Sequence, residues 1–151
     1  MGYKRPESVL VVVHTSDARV LMLRRRSPAE FWQSVTGSLE WGESPEAAAR
    51  RELLEETGLA TDGLEDRQRI NRFPIVPPWR ERYAPDANEN IEHVFSLLLP
   101  EPCPVRLNDR EHVEYRWATE PEALALASSY TNRDAIRELV GALPDPESKA
   151  D

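Results

Sequence analysis

Cysteine, histidine and long apolar runs are all scarce in this chain. One cysteine, Cys103, among 151 residues excludes a disulfide framework and a thiolate metal centre. The three histidines, His14, His93 and His112, show no i, i+4 pairing of the kind that seats a metal on one helix. They are expected to be structural, although His112 beside Glu111 is placed to line a pocket. No apolar stretch approaches the roughly 20 residues that span a bilayer, and the opening MGYKRPESV lacks the hydrophobic stretch of a secretory leader. A cytoplasmic, membrane-free protein is expected. Positive charge is also in short supply. With 19 Lys and Arg against 27 Asp and Glu, the net charge of −8 argues against a general binder of nucleic acid or anionic membrane. If such a chain handles polyphosphates, it needs local cations or a metal ion to offset its own field.

What is present is organised for one domain, expected over residues 1–142, with 143–151 as a flexible tail. Ser8 to His14 is a continuous β-branched apolar run, the signature of a strand buried on both faces. Ser16-Asp17-Ala18 is a turn, Val20 to Leu23 a second strand, and Phe31 to Gly37 short strands. Further strands are expected within Gly63 to Val76, from Ile91 to Leu99, and from Val113 to Trp117, with a turn-rich loop from Pro77 to Asn90. Helices are expected over Pro121 to Ala127 and Asn132 to Ala142. Trp32, Trp41, Trp79 and Trp117 read mainly as packing residues. Strands around one central helix, with helices at the end, describe an α+β layered domain.

The central helix carries the chemistry. Residues 37–59 read GSLEWGESPEAAARRELLEETGL. Ser44 suits an N-cap, Pro45 the first helical position, and Gly58 the residue past the end. At 100° per residue, Glu52, Glu55 and Glu56 share an arc of about 100°, with Ala47 and Leu54 opposite them, where they can pack on a sheet. Three like charges on one stripe repel, an objection that a bound divalent cation removes, because carboxylate oxygens suit Mg²⁺. Taken alone, the three glutamates also fit a solvated acidic face. The wider spacing decides against that. Gly37, Glu43, Arg51, Glu52, Leu53, Glu55, Glu56, Gly58 and Leu59 fill the pattern G-x5-E-x7-R-E-L-x-E-E-x-G-L. Leaving aside the two leucines, the seven Gly, Glu and Arg positions at about 5–7% each would coincide roughly once in 10⁹ windows.

This pattern resembles the Nudix box, and the chain is identified on it as a member of the Nudix hydrolases, which cleave diphosphate linkages with magnesium or manganese. The resemblance implies an α/β/α sandwich with a mixed β-sheet. It implies a catalytic set of Glu52, Glu55, Glu56 and Arg51, in which Glu52 and Glu56 bind metal and Glu55 supplies a further ligand or helps activate water. It also implies that Arg51 orients the glutamates and that Glu43 braces the loop. Mg²⁺ is the expected cofactor, with Mn²⁺ as a substitute.

Segments outside the box are similar to one branch, the bacterial dihydroneopterin triphosphate pyrophosphatases of folate synthesis. They are Tyr3 to Pro6, Val20 to Arg26, Phe31 to Ser38, Arg82 to Pro85, Glu111-His112 and Ser129 to Arg133. That likeness implies substrate contacts at Lys4, Arg25, Thr36, Phe73, Pro74, Ile75, Val76 and Ser129, with Glu111 completing the metal site. Each residue has a plainer reading: solvated strand end for Arg25, loose terminus for Lys4, loop acid for Glu111, core aromatic for Phe73. The expected reaction converts dihydroneopterin triphosphate to the monophosphate and pyrophosphate, in a monomer or small homo-oligomer. A broader nucleoside triphosphate pyrophosphatase, such as one acting on dATP, shares the same box chemistry. A non-catalytic ligand-binding module is disfavoured by the intact box.

Overall fold

Val9 to Val13 form the spine of a mixed sheet, and the computed structural model shows why that run is apolar throughout. The structure describes residues 2–77 and 79–140. Strand β1 (Glu7–Thr15) is buried from Ser8 onward because it is covered on both faces and flanked on both edges. It pairs in parallel with β6 (Glu89–Leu99) and antiparallel with β2 (Arg19–Arg25) and β4 (Val35–Ser38). Outward from this centre, β3 (Trp32–Gln33) and β7 (His112–Thr119) pair with β2, and β5 (Leu64–Pro74) pairs with β6, giving seven strands.

Side chains alternate across the sheet with period two. Leu10, Val12, Val20, Met22 and Val94 face one layer, with Ala123, Ala135, Ile136 and Leu139 from α2 (Glu120–Leu126) and α3 (Tyr130–Val140). Val9, Val11, Val13, Phe95 and Leu97 face the other, with Ala48, Ala49 and Leu53 from α1 (Pro45–Thr57). The result is an α/β/α sandwich on a mixed sheet. No helix among the described residues is long and apolar enough to cross a membrane.

The elements follow their sequence signals with instructive exceptions. In α1 the Ser44 hydroxyl accepts from the Ala47 N–H, Pro45 opens the helix, and Gly58 ends it at φ 71° with its N–H donating to the Leu54 carbonyl. Its buried face, however, is Ala48, Ala49, Glu52, Leu53, Glu56 and Thr57. Leu54 is an exposed hydrophobic residue and Ala47 is also exposed, so the expectation that these two pack on the sheet is corrected. The small Ala48 and Ala49 let the helix lie close to the strands, and the glutamate stripe turns inward with them. β5 is polar because it is an edge strand, and its pairing with β6 is broken by a register shift between Asp66 and Arg69. The loop after it holds a single 3₁₀ turn, Arg80–Arg82. α3 begins two residues before its expected start, and the flexible tail expected at 143–151 lies outside the described residues, as do 141 and 142.

Candidate active site

Arg51 organises the acidic cluster. Its Nε and Nη2 form a two-pronged pair with the Glu43 carboxylate at 2.9 and 2.8 Å. Nη1 donates to Glu52 Oε1 at 2.9 Å and to Glu55 Oε2 at 3.4 Å, and Nη2 also reaches the Ser38 carbonyl at 3.1 Å. One guanidinium thereby ties the loop before α1 to two carboxylates on it, a job suited to arginine's fixed fork of donors. Glu43 in turn accepts from the Glu40 N–H, closing the loop. Arg5 adds a second clamp, donating to the Glu40 and Glu43 carbonyls.

The Arg51 pair holds the Glu43 carboxyl at about 2, well below the usual carboxylate range. A depressed folded pKa contributes stability that is full above the unfolded value near 4.5 and is lost as pH falls toward 2. Glu43→Gln is therefore expected to lower the melting temperature at pH 6, and the gap from wild type should close as pH falls from 5 to 2.5. A gap independent of pH, measured by calorimetry, would reject that origin.

Glu52, Glu55 and Glu56 each offer an oxygen within 4.8 Å of the others. Glu52 and Glu56 are buried and Glu55 is exposed. Burial pushes the Glu52 carboxyl up to about 7, with Arg51 opposing that and the neighbouring Glu56 and Glu55 adding to it. Two buried carboxylates side by side are costly unless a cation joins them. Gly37 fits the same arrangement: its lack of a side chain makes room for the Glu52 carboxyl group, which any Cβ there would overlap. The donor set is hard, anionic and crowded, and it can hold a divalent metal.

His112 is the main surprise. It is 2% exposed, with Nδ1 2.8 Å from Glu56 Oε2 and Nε2 3.2 Å from the Gln33 amide nitrogen. The Gln33 N–H donating to Nε2 leaves Nδ1–H to donate to Glu56, which fixes that carboxylate's orientation. Reading this histidine as structural understates it. The adjacency of His112 to Glu111 at a strand start was the available signal.

One cavity of about 980 Å³ gathers the expected site residues. Arg51, Glu52, Glu55 and Glu56 line it, as do Lys4, Arg25, Thr36 and Glu111. Phe73, Pro74, Ile75, Val76 and Ser129 line it as well. Glu111 stands outside the three-carboxylate cluster, 3.9 Å from Arg25 Nη2. Thr36 spends its hydroxyl proton on the Val9 carbonyl, and the Ser129 oxygen accepts from the Asn132 N–H at the head of α3. Burial and then Arg82 lower the Lys4 ammonium's pKa, while Glu111 and Glu52 oppose them. Burial likewise lowers that of Arg25, countered by Glu111. Crowding of cations against carboxylates across one cleft is what a polyphosphate site requires.

Trp79 was expected to be a packing residue, yet it lines the cleft with Arg25 and Arg82 over its ring at 4.9 and 5.3 Å and Phe31 edge-on at 5.6 Å. Trp41 is 70% exposed and lines the cleft, so the expectation that it is mainly a packing residue is corrected. Trp32 is buried, as expected.

The NUDIX domain pattern matches residues 4–139. This chain belongs to the NUDIX family. It is 45% identical over 143 residues to the dihydroneopterin triphosphate diphosphatase of Escherichia coli K12, covering 91% of this chain and 94% of that protein. It is 38% identical over 142 residues to the enzyme of the same name from Haemophilus influenzae, covering 91% and 89%. Among solved structures, the E. coli dihydroneopterin triphosphate pyrophosphohydrolase matches with a TM-score of 0.86 at 44% identity, over 93% of this chain and 98% of that one. The carboxylate cluster on α1 is thus the acidic centre of a Nudix hydrolase.

Proposed function

We propose that this Nudix hydrolase converts dihydroneopterin triphosphate and water to dihydroneopterin monophosphate and pyrophosphate, in the cytoplasm and with Mg²⁺, for which Mn²⁺ can substitute. The observation that carries this reading is the opposition, across one cleft, of the Glu52, Glu55 and Glu56 cluster to Lys4 and Arg25. The relatives in E. coli and H. influenzae supply the pterin.

Glu52, Glu56 and Glu111 are the residues proposed to hold the metal, with Glu55 assisting them. A divalent cation there supplies positive charge against the phosphoryl oxygens and acidifies water at the site. The protein's own contribution is placement. Arg51 keeps Glu52 and Glu55 aimed together, and His112 keeps Glu56 from rotating. Lys4 and Arg25 hold the anionic chain so that charge developing on the departing pyrophosphate is already met. Thr36, Ser129 and the Phe73 to Val76 stretch are proposed to contact the rest of the substrate. In the overall change, water adds across the bridging P–O bond between the first and second phosphates; one product keeps the bridging oxygen, the other takes the water oxygen, and the monophosphate and pyrophosphate separate.

The test is product analysis after incubation of the protein with dihydroneopterin triphosphate and Mg²⁺. Pyrophosphate is expected in equal amount to the monophosphate. Stepwise release of inorganic phosphate, or no turnover beside active hydrolysis of dATP, would replace the proposal.

A further inference from the structure

Two polar side chains on β6 sit where the fold calls for apolar ones. Asn90, Glu92 and Val94 point to the same face of the sheet, and Val94 belongs to the core under α2 and α3. Asn90 and Glu92 continue that face toward the first turn of α3, where Thr131 meets Glu92, and both are 5% exposed. Burying an amide and a carboxyl costs free energy unless their hydrogen bonds are completed.

Within the protein those of Asn90 are not completed. The Asn90 amide nitrogen donates to the Ser8 hydroxyl at 2.7 Å, which leaves Oδ1 as the acceptor, and Oδ1 is buried without a partner. Glu92 Oε1 accepts from the Asn71 amide at 3.1 Å, and the Thr131 hydroxyl also favours the charged form. The cation whose charge reaches Glu92 is Arg69, itself paired with Glu138. Desolvation outweighs these and raises the Glu92 pKa.

Both side chains line the same cavity as the acidic cluster. Strand register fixes their surroundings: Asn71 lies opposite Glu92 and Phe73 opposite Asn90 on β5, while Ser8 of β1 flanks Glu92 from the other side. Phe73, Ile75 and Leu10 add apolar wall. This part of the cleft therefore sets hydrogen-bond acceptors beside apolar side chains.

We propose that Glu92 and Asn90 form the ring-reading subsite, taking the 2-amino-4-oxopyrimidine edge that pterins and guanine share. That edge presents a ring N–H and an exocyclic amino group side by side, two donors for one carboxylate, with Asn90 Oδ1 for a further N–H. Adenine offers mainly ring acceptors at the corresponding positions, and a set of acceptors leaves them unpaired. The assignment rests on the proposed triphosphate hydrolysis for the position of the phosphates, but it makes a separate claim about the ring.

Guanosine and inosine triphosphates differ only in the 2-amino group and so isolate this contact. Their dissociation constants are to be measured by calorimetry on the wild-type protein with Ca²⁺ present, alongside kcat/KM for dihydroneopterin triphosphate with Mg²⁺. Wild type is expected to bind the guanine compound about 10- to 100-fold more tightly, the scale of a hydrogen bond to a charged group. Glu92→Gln puts an amide donor against the ring donors at nearly constant shape. It should bring the guanine-to-inosine ratio close to one and raise KM for the pterin substrate by a similar factor. General damage to the fold weakens both nucleotides alike and preserves the ratio. Equal or undetectable binding of the two by wild type, or a ratio kept in the variant, overturns the subsite. Loss of pyrophosphate release from dihydroneopterin triphosphate by wild type overturns the proposed reaction instead, and the nucleotide ratio is read independently of it. A preference for dihydroneopterin triphosphate over guanosine triphosphate in kcat/KM marks the pterin as the source of the ring.

Discussion

Glu56→Gln is expected to lower kcat by on the order of 10³-fold or more with little change in fold. The scale follows from comparison: losing one oxyanion donor costs about 10²–10³ in kcat, and this substitution removes a full charge from the acidic centre. Glu56 is 4% exposed, so solvent cannot replace what it supplies. Its His112 contact at 2.8 Å survives the change, because a glutamine Oε1 accepts the same Nδ1–H. The melting temperature should therefore stay within a few degrees, while Mn²⁺ affinity, followed by the loss of the free-ion resonance signal, falls together with turnover. Wild-type kcat in the purified variant at saturating Mg²⁺ would remove Glu56 from the mechanism. A collapse of melting temperature would show instead that the Glu56–His112 pair mainly supports the fold.

The contrast between Glu56 and His112 shows what sequence reading reached and what it did not. The box is local. Gly37 to Leu59 run from the end of β4 through one loop and one helix, so spacing alone aligns their side chains, and the Ser44 and Gly58 caps set the helix ends. The β1 run was equally plain, because burial on both faces leaves no polar alternation to interpret. His112 is 56 positions from Glu56 and 79 from Gln33. It arrives only through β2, which pairs with β3 at Leu23–Gln33 and with β7 at Arg25–His112. No periodicity in the chain encodes that meeting. The inward turn of the glutamate stripe was hidden for a related reason. Hydropathy places Leu54 inside and glutamate outside, whereas charge balance across the cleft, from Arg51, Lys4 and Arg25, makes the reverse possible. Asn90 and Glu92 were concealed by the loop-like polarity of the residues before them.

Gly37→Ala is expected to separate activity from stability most cleanly. Gly37 is paired with Val9 in the β4–β1 ladder and its backbone is not in the left-handed region, so alanine adopts the conformation. Removing a glycine's freedom from the unfolded chain favours folding by about 0.4–1 kcal/mol. The added methyl nonetheless overlaps the Glu52 carboxyl group, whose atoms are its nearest neighbours. A carboxyl group at the end of two rotatable methylenes can swing away at low cost in stability. In doing so it abandons the Arg51 Nη1 bond at 2.9 Å and its place beside Glu56. Catalytic groups displaced by about 1 Å cost on the order of 10²-fold in rate, and a loss of at least that size is expected in kcat, with a melting temperature equal to or above wild type. Relieving the overlap should partly restore rate: Glu52→Asp in the Gly37→Ala background shortens the side chain by one methylene and makes room for the methyl. Full activity in Gly37→Ala alone would mean that the position of the Glu52 carboxyl group, and with it the geometry of the whole acidic cluster, does not govern turnover.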